Sequence, residues 1–94
     1  MNDLGSRMHA VVATVSVDNV EEARSLLPIA REALVSRAPG IVCGYWLEPI
    51  DGVGMSVLVF ESREYAETAA SYPVPPMPGV KLLTLEIREV FAHV

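Results

Sequence analysis

The sequence predicts an α+β domain: a four-stranded antiparallel sheet with two helices on one face, in the order β-α-β-β-α-β. Three observations predict it. Four stretches are rich in β-branched residues and alternate with period two, the signature of strands. Two stretches with helical spacing separate them at matching places, dividing the chain into two βαβ halves, about 9–48 and 54–94. The whole chain is 94 residues, the length of one domain.

Residues 1–7 are polar and unpatterned and read as a loose lead; a single domain occupies 8–94. His9–Val17 is the first strand, with His9, Val11, Ala13, Val15 and Val17 on one face. Asp18-Asn19-Val20-Glu21 has the spacing of a capping box, an acid followed three residues later by Glu. Behind it Val20, Ala23, Leu26, Leu27, Ala30, Ala33 and Leu34 recur at helical spacing, with Glu21, Glu22, Arg24, Arg31 and Glu32 outside. Pro28 removes one backbone bond inside this helix, and Ala38-Pro39-Gly40 ends it.

Ile41–Glu48 is the second strand, Pro49-Ile50-Asp51-Gly52 a turn, and Gly54–Glu61 the third strand of a hairpin. Ser62 caps a short helix from Arg63 to about Ser71. Pro73, Pro75, Pro76 and Pro78 make the next stretch a loop. Val80–His93 is a long fourth strand. This order is the ferredoxin-like split βαβ arrangement.

Parity sorts the strand residues into two faces. One set holds Val11, Val15, Ile41, Cys43, Tyr45, Leu47, Met55, Val57, Val59, Leu85 and Ile87, and is expected beneath the helices. The other holds Val12, Val42, Trp46, Leu58, Phe60, Leu82, Glu86, Arg88 and Val90. A solvated sheet face is normally polar, and this one is too apolar to leave in water. With both helices on the first face, the expectation is a homodimer packed sheet on sheet across a two-fold axis. Its interface is expected to use Val12, Trp46, Leu58, Phe60, Leu82, Glu86, Arg88 and Val90.

Composition agrees with self-association. Fourteen valines and 51% AVILMFWYC exceed the needs of a small monomer. Twelve acids against seven bases give a net charge of −5, the wrong sign for a nucleic-acid backbone or an anionic membrane. The single Cys43 permits no internal disulfide and no thiolate zinc site. No apolar run is long enough to cross a bilayer, and Met8–Val17 is read as a strand rather than a secretory leader. The expected location is cytoplasmic.

Strand one running into Asn19-Val20-Glu21-Glu22, the helix with its internal Pro28, the Ala38-Pro39-Gly40-Ile41 link and Leu58-Val59-Phe60-Glu61-Ser62-Arg63 together resemble the dimeric α/β-barrel superfamily. The likeness is greatest to the antibiotic-biosynthesis-monooxygenase (ABM) type and spans residues 8 to 94. The resemblance implies a dimer whose two sheets form a barrel, with a ligand cleft in each subunit between sheet and helices.

The quinol-oxidising and haem-degrading members of that superfamily use pocket Asn, Trp, His or Tyr residues. Here strand one lacks Asn, strand three reads Met55-Ser56-Val57-Leu58 where Trp is expected, and the second helix lacks His. The family's catalytic residues are therefore unmatched, and no catalytic residue, metal or cofactor is expected.

The candidate cleft residues are Tyr45, Tyr65, Tyr72, Met77 and His9. A Tyr hydroxyl orients a phenolic or carbonyl ligand, and Met adapts to apolar shapes. The same residues equally serve as core and cap. His9 and His93 are placed near each other by antiparallel neighbouring strands, yet two His fall short of a metal ligand set. Glu86 and Arg88, in line with Thr84, read as an ion pair at an interface or as a polar ligand site. Cys43 reads as an inert buried residue. An RNA-recognition domain would put rings where Met55 and Val57 stand, and an amino-acid-binding regulatory domain would put Gly after strand one.

The sequence thus predicts a homodimer that binds a small apolar or aromatic metabolite or is purely structural. The alternative is a cofactor-independent oxygenase of a reduced, quinol-like aromatic.

Overall fold

The computed structural model describes residues 7–71 and 77–94. Its elements run β1 (His9–Val17), α1 (Val20–Arg37), β2 (Ile41–Ile50), β3 (Val53–Phe60), α2 (Arg63–Ser71) and β4 (Val80–Glu89). The strands form one antiparallel sheet in the order β2-β3-β1-β4, the ferredoxin-like α+β arrangement that the sequence predicts.

Local chemistry explains each boundary. Asn19 caps α1, its Oδ1 accepting the Glu22 amide at 3.0 Å, one residue later than the expected Asp18. The helix continues unbroken through Pro28, and Ala38 closes it by donating to the Leu34 carbonyl at 2.9 Å. Ser62 caps α2, its Oγ accepting the Tyr65 amide at 3.2 Å.

The β2–β3 turn is tighter than expected. Asp51 and Gly52 have φ of 51° and 77°, the paired left-handed residues of a two-residue type I′ hairpin. Ile50 and Val53 are therefore strand partners rather than turn residues. Before β4, Val80 donates to the Met77 carbonyl at 3.1 Å around Pro78-Gly79, with Gly79 at φ 72° as a type II turn requires.

The fourth strand is shorter than the expected 80–93. It ends at Glu89 because β1 begins opposite it at His9, and the last ladder bond is Val90 N–H to the Met8 carbonyl at 2.9 Å. Arg7, expected in a loose lead, is ion-paired with Glu89.

Register decides the faces, because antiparallel partners project to the same side. Val11 pairs with Leu58 and Ile87, and His9 with Phe60. Val11, Phe60, Ala38 and the α2 residue Ala66 form the core, with Leu34, Ile41, Leu58 and Ile87 packed on it. Phe60 is fully buried there. The expectation that Leu58 and Phe60 face away from the helices is thereby corrected.

The second strand is corrected too. Ile41 pairs with Phe60 but Cys43 pairs with Val59, so Val42 is an extra, bulged residue. Beyond it the parity of β2 inverts. Gly44 and Trp46, opposite Leu58 and Ser56, turn to the helix side; Cys43, Tyr45 and Leu47, opposite Val59, Val57 and Met55, turn to the other. In β4 a bulge sets Leu82 opposite Val15, again on the helix side.

The face away from the helices therefore carries Tyr45, Leu47, Met55, Val57, Val59 and Val12 on its β2-β3-β1 part. Thr84, Glu86 and Arg88 form a polar border on β4. Tyr45 is 61% exposed and Leu47 49%. Among the described residues, no helix is long and apolar enough to cross a membrane.

Candidate functional site: a cleft between α1 and the sheet

The first helix covers the sheet without sealing it. Its inward stripe, Val20, Ala23, Leu26, Leu27, Ala30, Ala33 and Leu34, is only half-buried, and no residue of α1 is buried. Burial concentrates where α2 and Ala38 meet Val11 and Phe60. Toward the other end, Trp46 on the helix side of β2 stays 38% exposed, and Leu85, opposite Ala13, stays 44% exposed.

Gly44 shapes the wall beside Trp46. A Cβ there would meet Leu58 Cδ2 at 2.7 Å, so the missing side chain lets Leu58 spread across β2. Ser56, the direct partner of Trp46, supplies a hydroxyl on the same face. Trp46, Leu58 and Ser56 thus line a half-exposed, mainly apolar strip on the helix side of β2 and β3, here called the slot.

A polar clasp closes the N-terminal end of this slot. The Arg24 guanidinium donates to both oxygens of Glu48, at 3.0 and 2.8 Å, and to Glu21 at 3.1 Å. This fork-to-fork geometry ties the second turn of α1 to β2 two residues beyond Trp46. The hydrogen bonds from Arg24 hold the Glu48 carboxyl below its usual range, and the two carboxylates raise Arg24. Neither Arg24 nor Glu48 was singled out in the sequence, because nothing local marks residues 24 apart as partners.

The predicted cleft residues do not converge. Tyr45 lies on the opposite face, turned there by the Val42 bulge. Tyr65 packs its ring on Gly40, where a built Cβ would meet Cδ2 at 2.3 Å, and so covers the α1–β2 link. Met77 is half-buried in the turn before β4. Tyr72 lies outside the described residues.

His9 starts β1 with its Nδ1 3.1 Å from the Arg7 carbonyl and with Glu89 as its cross-strand partner. His93 lies four positions beyond Glu89, past the last β1–β4 pair, and is exposed. Among the described residues, no three His, Cys, Asp or Glu are grouped to hold a metal.

Of the expected interface residues, Val12, Glu86, Arg88 and Val90 belong to the open face, and Trp46, Leu58, Phe60 and Leu82 to the helix side. Glu86 and Arg88 pair at 3.3 Å, and Thr14 and Thr84 share a hydrogen bond across β1 and β4. Cys43, expected to be buried, is exposed on the open face.

One antiparallel sheet in the order β2-β3-β1-β4 with two helices makes this chain a ferredoxin-like α+β domain. No family model matches the chain, and no curated protein matches it. Among solved structures it is similar to a heme-degrading protein from Mycobacterium tuberculosis, in a heme-free form with cleaved protein. The TM-score is 0.54 and the identity 23%, over 92% of this chain and 96% of that one. The likeness extends across nearly the whole of both chains and concerns the fold.

Haem does not fit the residues of α2. Arg63–Ser71 contains no His, Cys or Met, and its one aromatic donor, Tyr65, is laid against Gly40. In the clasp at the N-terminal end of α1, one guanidinium is shared between two carboxylates, a net negative group that opposes the propionates of a haem.

Proposed function

We propose that this chain is an ABM-type homodimeric α/β-barrel protein that binds a small, flat, apolar or aromatic molecule between α1 and the sheet. The observation that carries the reading is Trp46, 38% exposed on the helix-covered face under a helix with no buried residue. A half-open indole in an apolar slot is costly to leave in water and recognises rings by offset or edge-to-face contact.

The dimer part of the reading rests on the open sheet face, where Tyr45, Leu47 and Met55 stay 61%, 49% and 40% exposed. An apolar face of this kind is one that a second copy would cover, sheet on sheet.

Trp46 is the single tryptophan of the sequence, so its fluorescence reports this slot alone. Titration with a panel of neutral aromatics, naphthols and hydroquinones among them, is expected to give saturable quenching. Gly44→Leu, which pushes Leu58 out over the slot, is expected to abolish it in protein that circular dichroism shows to be folded. A fold-competent protein whose emission ignores the whole panel overturns the binding reading.

A second reading is favoured by the likeness to a protein described as heme-degrading: a cofactor-independent oxygenase whose reduced aromatic substrate itself supplies electrons to O₂. Trp46 is then the ring-positioning residue, since Tyr45 faces the other way. Oxygen uptake with quinols tests it. Binding without uptake leaves a carrier or sensor of the molecule; uptake that Gly44→Leu removes supports the oxygenase.

A further inference from the structure

We propose that Ser56 selects the ligand of the slot: it takes the single hydrogen-bonding oxygen of an uncharged aromatic ring lying over Ala13 between Trp46 and Leu85. The proposal rests on the binding reading above and adds to it a specificity-determining residue and the class of ring that residue accepts.

The register builds a depression into the helix side of the sheet. Trp46, Ser56, Ala13 and Leu85 stand in one cross-strand row over β2, β3, β1 and β4. Two small residues are thus the floor between two large ones, whose backbones are three strand spacings apart, about 14 Å. The neighbouring rows on the same face raise its sides: Leu58, Val11 and Ile87 toward the core, Val15 and Leu82 toward the other end. The first helix does not seal this floor, because Ala13 and Ser56 are only half-buried and Leu85 is exposed.

Within those rows Ser56 alone carries a side chain that both donates and accepts a hydrogen bond; the Trp46 indole N–H only donates. Among the described residues, none meets the Ser56 hydroxyl at hydrogen-bonding distance. Such a hydroxyl on an otherwise apolar face discriminates between ligands. Covering it with a plain hydrocarbon costs its hydration, whereas covering it with a ring that carries an oxygen replaces the water bond with a direct one.

Charge and position narrow the class further. Arg24, which ties α1 to β2 two residues beyond Trp46, already donates to both oxygens of Glu48 and to Glu21. A ligand carboxylate would have to displace one of these acids to gain a cation, so the site suits an uncharged ring. With one oxygen on Ser56, a second oxygen across the ring would face Val15 or Leu85. Neither side chain can bond it, and it loses water there. The depression therefore fits a phenol better than a ring hydroxylated at both ends.

NMR titrations of the full chain, of Ser56→Ala and of Ala13→Val test this, with circular dichroism to show that all three fold. The probes are 2-naphthol, naphthalene, 2,6-dihydroxynaphthalene and 2-naphthoate. The wild-type chain is expected to bind 2-naphthol about three- to tenfold more tightly than naphthalene, the worth of one neutral hydrogen bond. It is also expected to prefer 2-naphthol to the other two probes, with shifts concentrated at Trp46, Ser56, Ala13 and Leu85. Ser56→Ala is expected to erase the preference over naphthalene by weakening 2-naphthol alone. Ala13→Val raises the floor and is expected to weaken 2-naphthol and naphthalene alike. A preference that survives Ser56→Ala, or equal binding of 2-naphthol and naphthalene, overturns the role of Ser56 and leaves the slot standing. The dihydroxy or carboxylate probe binding as tightly as 2-naphthol overturns the one-oxygen class. Shifts confined to the open face, or none with any probe, overturn the binding reading and this inference together.

Discussion

Trp46 of β2 and Ser56 of β3 are direct cross-strand partners. Because Ser56 also pairs with Ala13, next but one to the buried Val11, the pairing turns the indole toward the helices. The tryptophan that parity assigned to a subunit interface is thus a wall of the slot under α1, 38% exposed. Acrylamide is expected to quench its emission readily in the free protein. A bound aromatic is expected to shield it, lowering the quenching constant about two- to threefold, as any group that covers an indole removes it from solvent.

Phe60 provides the clearest separation of core from interface. It is fully buried against Ala66 and Val11, so Phe60→Ala is expected to cost about 3–5 kcal/mol. That is a large share of the roughly 5–15 kcal/mol of a whole domain. Urea unfolding reads this directly. A variant that keeps its midpoint while losing its dimer would restore Phe60 to the interface.

Tyr45 predicts the opposite. It stands 61% exposed on the open face, so Tyr45→Lys is expected to leave the urea midpoint of the monomer within about 0.5 kcal/mol while raising the dimer dissociation constant. Cys43, exposed on the same face, is expected to react with a thiol reagent in dilute protein and to be protected as concentration rises. Light scattering and thiol titration check the two statements independently.

Gly40 is held by both backbone and neighbour. Its φ is +78°, and a Cβ would meet the Tyr65 ring at 2.3 Å. Gly40→Ala is expected to destabilise by more than about 1 kcal/mol. Adding Tyr65→Ala removes the steric part and leaves the backbone part, so the double variant is expected to recover some but not all of the loss in a double-mutant cycle.

The Arg24–Glu48 clasp has an acid limit. Glu48 titrates below its ordinary value of 4.5 because Arg24 hydrogen-bonds the charged form. A depressed carboxyl stabilises the fold at pH above the unfolded value, and that contribution is lost as pH falls through the folded one. Below pH 4.5 the N-terminal turns of α1 are therefore expected to loosen, with a change in Trp46 emission. Glu48→Gln is expected to remove that phase and leave the separate one from Glu89, which Arg7 depresses in the same way.

The local parts of this molecule were legible in its sequence. The α1 stripe, the Ser62 cap and the order of six elements all follow from spacings within a few residues. Pro49, which has no amide to give the ladder, marks the irregular pairing between Leu47 and Ile50.

The faces of β2 and β3 were not legible. Both parities of β3 are apolar, so pattern cannot choose between Leu58 with Phe60 and Val57 with Val59. Only pairing with Val11 and Val12 on β1 decides. In β2 one bulged residue, Val42, turns the side chains from Cys43 to Leu47 over, until a second irregularity before Ile50. The sequence by itself determined which segments become strands and helices and that both faces of the sheet are largely apolar. The tertiary structure alone decided that Trp46 looks into the slot and Tyr45 away from it, because register is a relation between distant strands and a single extra residue reverses it.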